Sequence, residues 1–287
     1  MPTDSTVYRA TQSKLSPQRS RNLAAIRMFA LWDTAFPDPA STWARTNGRH
    51  VLLSVKAQTA RGHVRYRDIA AAQPGSPLHA TMVRWASDIK SFGAPIHVTF
   101  NHEPEAVASD GSGTATEFIA AWRKFVTVLR AQGVRNAEYL FIATAHGFKR
   151  TDDRQADHFY PGDAYVDDIG ADAYNWYTCR AGVNTAWRPL ADIIEPFRLF
   201  GAQHPSKGLW LPEFASTEDP ARPERKAQWV SEVRALLKQP AYSSFEGVLS
   251  FYRSTTRDNC DYRIDSSPPA LAAYRGLAND PFYLGTH

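Results

Sequence analysis

The stretch Pro95-Ile-His-Val-Thr-Phe-Asn-His-Glu103 decides the fold, because a short apolar run passes directly into polar residues at its end. Runs of this length, rich in β-branched and aromatic residues, are typical of buried strands rather than helices. The same pattern recurs along the chain and predicts further strands at 26–32, 50–56, 138–144, 168–174, 208–213 and 247–252.

Amphipathic segments separate most of these runs and predict helices at 16–25, 76–91, 116–131, 190–200, 222–237 and 268–277. The exception is 147–167, which predicts a long loop. Alternating strands and helices indicate parallel βα units, and an eight-stranded (β/α)₈ TIM barrel needs about 250 residues.

The chain has 287 residues, so we expect a single barrel domain over 1–287. Only 6–10 is available for a strand before the predicted helix at 16–25, so the first strand is expected to be atypical or degenerate. An open doubly wound sheet is the rival fold, but the chain lacks the G-x-G-x-x-G turn that is common in that class.

Composition excludes several classes of function. The net charge is +4, but basic and acidic residues are interspersed, so we expect no nucleic-acid partner. The apolar runs are far shorter than the ~20 residues that cross a bilayer, so we expect no membrane partner. Residues 1–5 do not resemble a signal peptide, and the leader of an exported protein would not be part of this chain.

Polar and aromatic residues follow the predicted strands, at the end of a barrel where active sites are built. These residues are Trp32, Asp33, Lys56, Asn101, His102, Glu103, Glu105, His146, Asp172, Tyr174, Trp176, Glu213, Tyr252 and Arg253.

Two glutamates stand out in this set. Glu103 ends the predicted fourth barrel strand and Glu213 ends the seventh, and these strands face each other across a closed barrel. Two carboxyl groups across a cleft can hydrolyse a glycosidic bond, one as the acid and the other as the nucleophile. We expect Glu103 to be the acid and Glu213 the nucleophile, oriented by the Tyr174 hydroxyl. Glu105 competes with Glu103 for the acid role.

A family resemblance rests on Asn101-His-Glu103 and Leu211-Pro-Glu-Phe214, with Asp168-Ile-Gly-Ala-Asp-Ala-Tyr174 between them. In these stretches the sequence resembles the retaining (β/α)₈ glycosidases that carry catalytic glutamates on strands four and seven. The histidine before the first glutamate, and Tyr160-Pro-Gly-Asp163, are similar to glycoside hydrolase family 26, the β-mannanases and their relatives. The resemblance implies Glu103 as acid/base, Glu213 as nucleophile, and His102 in contact with the sugar or the nucleophile. It also implies a hydrogen bond between Tyr174 and Glu213.

The sequence departs from the family pattern at two places outside the catalytic pair. The resemblance therefore supports the catalytic pair better than it supports mannan as the substrate. Pro104-Glu105 stands where family mannanases have Asn-Gly, and Phe251-Tyr252 replaces the usual tryptophan of strand eight, although Arg253 still follows. The sequence therefore predicts a retaining endo-type glycoside hydrolase that acts on a polysaccharide or oligosaccharide. The alternative is a catalytically altered barrel that binds glycans or serves as a structural module.

The sequence predicts the roles of the other residues at the strand ends less specifically. Lys56, Asn101, His146, Tyr252 and Arg253 are candidate substrate-binding residues, and Trp176 is either a sugar platform or a loop anchor. Asp172 is expected to be a structural hydrogen-bonding residue under the cleft. We expect no cofactor and no metal, because the histidines lack ligand spacing, and a Ser/His/Asp triad is disfavoured because G-x-S-x-G is missing.

The two cysteines, Cys179 and Cys260, follow the predicted sixth and eighth strands. Loops from these strands can meet over the seventh, so we expect a disulfide bond beside Glu213; the alternative is two unrelated core residues. A disulfide indicates an oxidising compartment, so we expect a secreted, extracellular protein. We further expect a monomer.

Overall fold

The computed structural model describes residues 6–15, 23–106, 111–180, 182, 186–255 and 260–283. Its centre is a parallel sheet of seven strands in the order β1-β2-β5-β6-β7-β8-β9, with each strand hydrogen-bonded to the next in this order. These strands are β1 (Ala25–Leu31), β2 (His50–Lys56), β5 (Ile96–Phe100), β6 (Ala137–Thr144), β7 (Asp168–Asn175), β8 (Gly208–Ser216) and β9 (Phe245–Ser250). Two short hairpins lie outside the sheet, β3 (Gln58–Thr59) with β4 (Gly62–His63), and β10 (Ser254–Thr255) with β11 (Cys260–Asp261).

Eight α-helices are present in the described residues. They are α1 (Thr6–Leu15), α2 (Pro39–Thr46), α3 (Tyr66–Ala70), α4 (Pro77–Phe92), α5 (Ala115–Ala131), α6 (Leu190–Ala202), α7 (Arg225–Leu236) and α8 (Pro268–Ala278). Helix α5 begins with a capping box in which the Thr114 and Glu117 side chains each accept a hydrogen bond from the other residue's backbone N–H. The short helices α2 and α3 were not predicted.

The sheet is curled, so that its two edge strands β1 and β9 come into contact. This parallel, barrel-like α/β architecture confirms the predicted fold class. All seven predicted strands are present, and 147–167 contains only three short 3₁₀ turns, as a long loop predicts.

The prediction for the N-terminal segment was wrong. Residues 6–10 belong to helix α1 rather than to a first strand, and α1 packs on α8. The Arg275 and Asn279 side chains donate to the backbone carbonyls of Lys14 and Leu15, which fixes the end of α1 on α8. The predicted helix at 16–25 lies outside the described residues for 16–22, and its last residue, Ala25, begins β1.

Aromatic side chains fill the layer between the sheet and the helices. Phe100 on β5 stacks on Phe118 and Phe125 of α5, with ring centroids 6.0 and 5.4 Å apart, and Trp122 meets Phe100 edge to face. All four side chains are buried. The aromatic residues therefore anchor the strand that ends beside Glu103. Among the described residues, no helix is long and apolar enough to span a membrane.

Candidate active site

The chain leaves β5 through a strained turn that carries Glu103. Asn101 and Glu103 have φ values of 46° and 53°, in the left-handed region that non-glycine residues rarely occupy. The Asn101 amide compensates this strain, because its Oδ1 accepts from the Ala57 N–H at 3.0 Å and its Nδ2 donates to the Tyr66 hydroxyl at 2.5 Å. The Glu103 N–H donates to the Ile142 carbonyl of β6 at 2.8 Å. Strain held in this way is typical of functional sites.

A second irregularity positions Glu213. Pro212 lies inside β8 and has no N–H to donate to a neighbouring strand. The register of β8 shifts against β7 between Gly170 and Asp172, and against β9 between Leu211 and Phe214. Such bulges redirect side chains. The outcome is that Glu213 lies in register with Asp172 on the neighbouring strand.

A buried arginine on β1, Arg27, links the carboxylates of Asp172 on β7 and Glu213 on β8. Arg27 Nη1 lies 2.8 and 3.0 Å from the two carboxylate oxygens of Asp172, and 3.1 Å from Glu213 Oε1. Its Nε donates to the Ser54 hydroxyl at 3.3 Å. The side chains of Arg27 and Asp172 are 5% and 0% exposed, so this ion pair is almost free of solvent screening.

Glu103 belongs to the same electrostatic network, because Arg27, Asp172 and Glu213 all act on its carboxyl group. Burial, and then the negative charges of Glu213 and Glu105, raise the pKa of Glu103 to about 8, although Arg27 and Asp172 act in the opposite direction. Burial also raises the pKa of Asp172 well above its usual value, and the charges of Glu213 and Glu103 add to this. The site therefore retains a proton on Glu103 at neutral pH.

The Tyr174 hydroxyl donates a hydrogen bond to Glu213, so the contact that the resemblance implied is present. Burial, followed by the neighbouring Glu213 charge, raises the pKa of Tyr174 well above its usual value, which keeps the hydroxyl protonated as a donor. The Tyr174 ring packs against Phe251 and Tyr262, at centroid distances of 5.6 and 5.0 Å. Arg27 and Tyr174 thus approach Glu213 with two donors, an arrangement that suits a carboxylate.

His102 lies beside the carboxylates as a neutral imidazole. Burial, and then the charges of Arg27 and Lys56, lower the pKa of His102 well below its usual value. Its ring meets Phe29 edge to face at 5.2 Å, and Lys56 Nζ lies 6.0 Å from the centre of the same Phe29 ring. The structure therefore brings His102 and Lys56 together next to Arg27.

Glu105, the competing candidate for the acid, has a different environment. Its Oε1 accepts hydrogen bonds from both the N–H and the hydroxyl of Thr144, each at 2.7 Å, and its backbone carbonyl accepts from Arg154. The side chain is buried, which raises its pKa. These contacts fasten the loop after β5 to the end of β6, a structural task, and they favour Glu103 as the acid.

The remaining candidates make described contacts outside the carboxylate network, although Trp176 packs in the same apolar cluster as Tyr174. Trp176 stacks with Arg180 at 4.3 Å, and His146 is exposed with its Nε2 3.5 Å from Arg150. Tyr252 accepts from Lys14 Nζ at 2.6 Å and donates to Asp265 at 3.1 Å. Arg253 is exposed. Their proposed roles in substrate binding stay predictions.

The expected disulfide bond joins Cys179 and Cys260, which ties the loop after β7 to hairpin β10–β11. Sequence reasoning missed Arg27. The signal that could have found it is a lone charged residue inside the apolar run Ile26-Arg-Met-Phe29, since a charge in a buried strand requires a partner.

A parallel barrel with two glutamates coupled at the carboxyl ends of its strands is the architecture of the (β/α) barrel glycosidases. Part of the chain matches a known family: the model of glycosyl hydrolase family 26 matches residues 101–212, ending one residue before Glu213. The chain is thus related to glycoside hydrolase family 26, and the resemblance seen in the sequence is confirmed.

The chain is also similar to individual proteins, one in sequence and two in fold. The chain is 30% identical over 267 residues to Endoglucanase H of Acetivibrio thermocellus, a match that covers 90% of the chain and 27% of that protein. Its fold is similar to the GH26 domain of an endo-β-mannanase/endo-β-glucanase from Prevotella bryantii, with a TM-score of 0.60 at 15% identity over 95% of this chain and 85% of that one. A modular endo-β-1,4-mannanase from Cellulomonas fimi gives a TM-score of 0.58 at 23% identity, over 85% and 56% of the two chains.

Proposed function

We propose that this protein is a retaining endo-acting glycoside hydrolase that cleaves a β-linked glucan or mannan. The observation that carries the proposal is the shared network of Glu103 and Glu213, in which one carboxyl keeps its proton and the other faces two donors. The relatives named as endoglucanase and mannanase supply the two substrate classes.

The proposed reaction has two steps. Glu213 attacks the anomeric carbon while Glu103 gives its proton to the departing glycosidic oxygen, which forms a covalent glycosyl-enzyme. Glu103, now a carboxylate, takes a proton from water as the water attacks the anomeric carbon and releases Glu213. Arg27 and Tyr174 hold the Glu213 carboxylate in position for the attack.

The experiment compares Glu103→Gln and Glu213→Gln on a polysaccharide and on an aryl glycoside with an activated leaving group. Glu213→Gln should lose activity on both substrates by 10³-fold or more, because the nucleophile is missing. Glu103→Gln should lose activity on the polysaccharide, yet still release the activated leaving group, which needs no proton. Glu232→Gln, an exposed position on α7, serves as the matched control and should retain wild-type rates.

Wild-type hydrolysis with Glu213→Gln would refute the assignment of the nucleophile. A wild-type protein that binds glucan or mannan and cleaves neither would instead establish the glycan-binding alternative. The anomer of the first product, followed by NMR, tests retention independently of the variants.

We also propose that the protein is a single-domain monomer that works outside the cytosol. The Cys179–Cys260 bond supports an oxidising compartment, since cytosolic thiols are kept reduced. Sedimentation of the purified protein tests whether it is a monomer. Fractionation of the native host's cells and medium tests where it is located.

A further inference from the structure

The amino ends of the strands, opposite the glutamate pair, hold a second group of titratable side chains. His97 and Glu138 are the second residues of β5 and β6 and lie in register, and Asp168 is the first residue of β7. His97 Nε2 lies 2.8 Å from Asp168 Oδ2 and 3.2 Å from Glu138 Oε2. One nitrogen and two carboxylate oxygens from three neighbouring strands thus converge, all within 4.8 Å of one another.

The imidazole of His97 is held in one orientation. Its Nδ1 lies 2.5 Å from His50 Nε2, and its ring packs at 4.3 Å against the buried ring of Trp210. With Nδ1 engaged by His50, Nε2 is the atom that faces the two carboxylates. Metal-binding histidines are fixed in the same manner, by a partner on the ring nitrogen that does not bind the ion.

Gly208 makes room for a further carboxylate at this point. A Cβ on Gly208 would lie 2.6 Å from Asp168 Oδ1 and 2.5 Å from the carboxyl carbon of Glu246, so both acids occupy the space that a side chain would fill. The Gly208 N–H donates to Asp168 Oδ1 at 3.1 Å. Three acids therefore gather around one imidazole.

We propose that His97, Glu138 and Asp168 bind one divalent cation of the zinc class. Zn²⁺ takes nitrogen and carboxylate ligands at about 2.0–2.2 Å, and tetrahedral geometry then places ligand atoms roughly 3.3 Å apart. The separation of 3.2 Å matches that spacing, and the separation of 2.8 Å would have to widen by about 0.5 Å around an ion. His50 and the Gly208 N–H would hold the ligands from outside, and Glu246 would neutralise charge or complete the site.

The ion would act on stability rather than on catalysis, because it lies at the end of the barrel away from Glu103 and Glu213. It would cross-link three adjacent strands at their first or second residues. A ligand that binds only the folded state raises the melting temperature according to its concentration relative to Kd.

The test uses the full chain, stripped with a chelator and titrated with ZnCl₂ by calorimetry and thermal denaturation. We expect one equivalent to bind, with a Tm rise of about 5 °C or more at a hundredfold excess over Kd. Glu138→Gln should weaken binding at least tenfold. Its side chain is 64% exposed, so the variant should fold. Glu232→Gln, on a distant exposed helix face, is the matched control and should bind as wild type.

Three results would overturn the proposal. They are a stripped protein whose Tm does not respond to zinc, a Glu138→Gln variant with wild-type affinity, and binding of calcium in preference to zinc. The first would leave a purely hydrogen-bonded His–carboxylate cluster, the second would place the ion elsewhere, and the third would exclude the His97 nitrogen as a ligand.

Discussion

Replacing Arg27 with methionine removes a cation that bridges Asp172 and Glu213. Methionine keeps much of the side-chain volume, so the change is mainly one of charge. Asp172 is fully buried, and without Arg27 it loses contacts of 2.8 and 3.0 Å. Removing one partner of a buried ion pair leaves an uncompensated charge, which costs about 3–5 kcal/mol of unfolding free energy. For a chain of this size that corresponds to roughly 5–8 °C in Tm.

The control is Arg198→Met. Arg198 makes an equally short two-point contact with Glu195, at 2.7 Å for each pair of atoms, but on the exposed face of α6. Exposed pairs contribute about 0–1 kcal/mol, so this variant should be close to wild type. Adding Asp172→Asn to Arg27→Met should recover part of the lost stability, because the unpaired carboxylate is then removed.

Urea denaturation measures the three free energies, and the pH profile of kcat/KM gives a second readout. Since Arg27 lowers the pKa of Glu103, its removal should move the loss of activity at high pH to still higher pH. An Arg27→Met protein within about 1 kcal/mol of wild type would refute the reasoning, as would a high-pH limit that moves downwards.

Three further outcomes follow from the same geometry. The pKa of Glu103 is about 8, and the proposed acid is its protonated form. Therefore kcat/KM, measured from pH 6 to 10, should be flat up to about pH 7.5 and then fall about tenfold per pH unit. A flat profile up to pH 10 would exclude Glu103 as the acid. Tyr174→Phe removes a hydrogen bond to the Glu213 carboxylate, worth about 1.5–3 kcal/mol, so kcat should fall roughly 10- to 150-fold, with an unchanged kcat contradicting the positioning role. Replacing Cys179 and Cys260 with serine opens a loop between residues 81 positions apart. The free energy of unfolding, measured by urea denaturation, should fall by about 4 kcal/mol. An unchanged free energy of unfolding would argue against a disulfide bond in the folded protein.

Local patterns were sufficient for most of the architecture. Short apolar runs and intervening amphipathic segments located all seven strands of the sheet and helices α4 to α8 to within a few residues. The segment 6–10 was misread, because its composition fits a strand or a helix equally well. Packing on α8 favours the helix, because side chains more than 260 positions away donate hydrogen bonds to its end. No local window of sequence carries that contact.

The sequence by itself determined that Glu103 follows one strand and that Glu213 lies towards the end of another, inside β8 (Gly208–Ser216). Both therefore stand at the same end of a parallel barrel, since strand ends are local features and parallel strands share their direction. It could not determine what surrounds the two carboxyl groups. Arg27 comes from a strand far earlier in the chain, and only the curling of the sheet brings its guanidinium to Asp172 and Glu213. The pKa of Glu103 depends on that burial and on those charges, so the proposed roles of the two glutamates as acid and nucleophile rest on the tertiary structure.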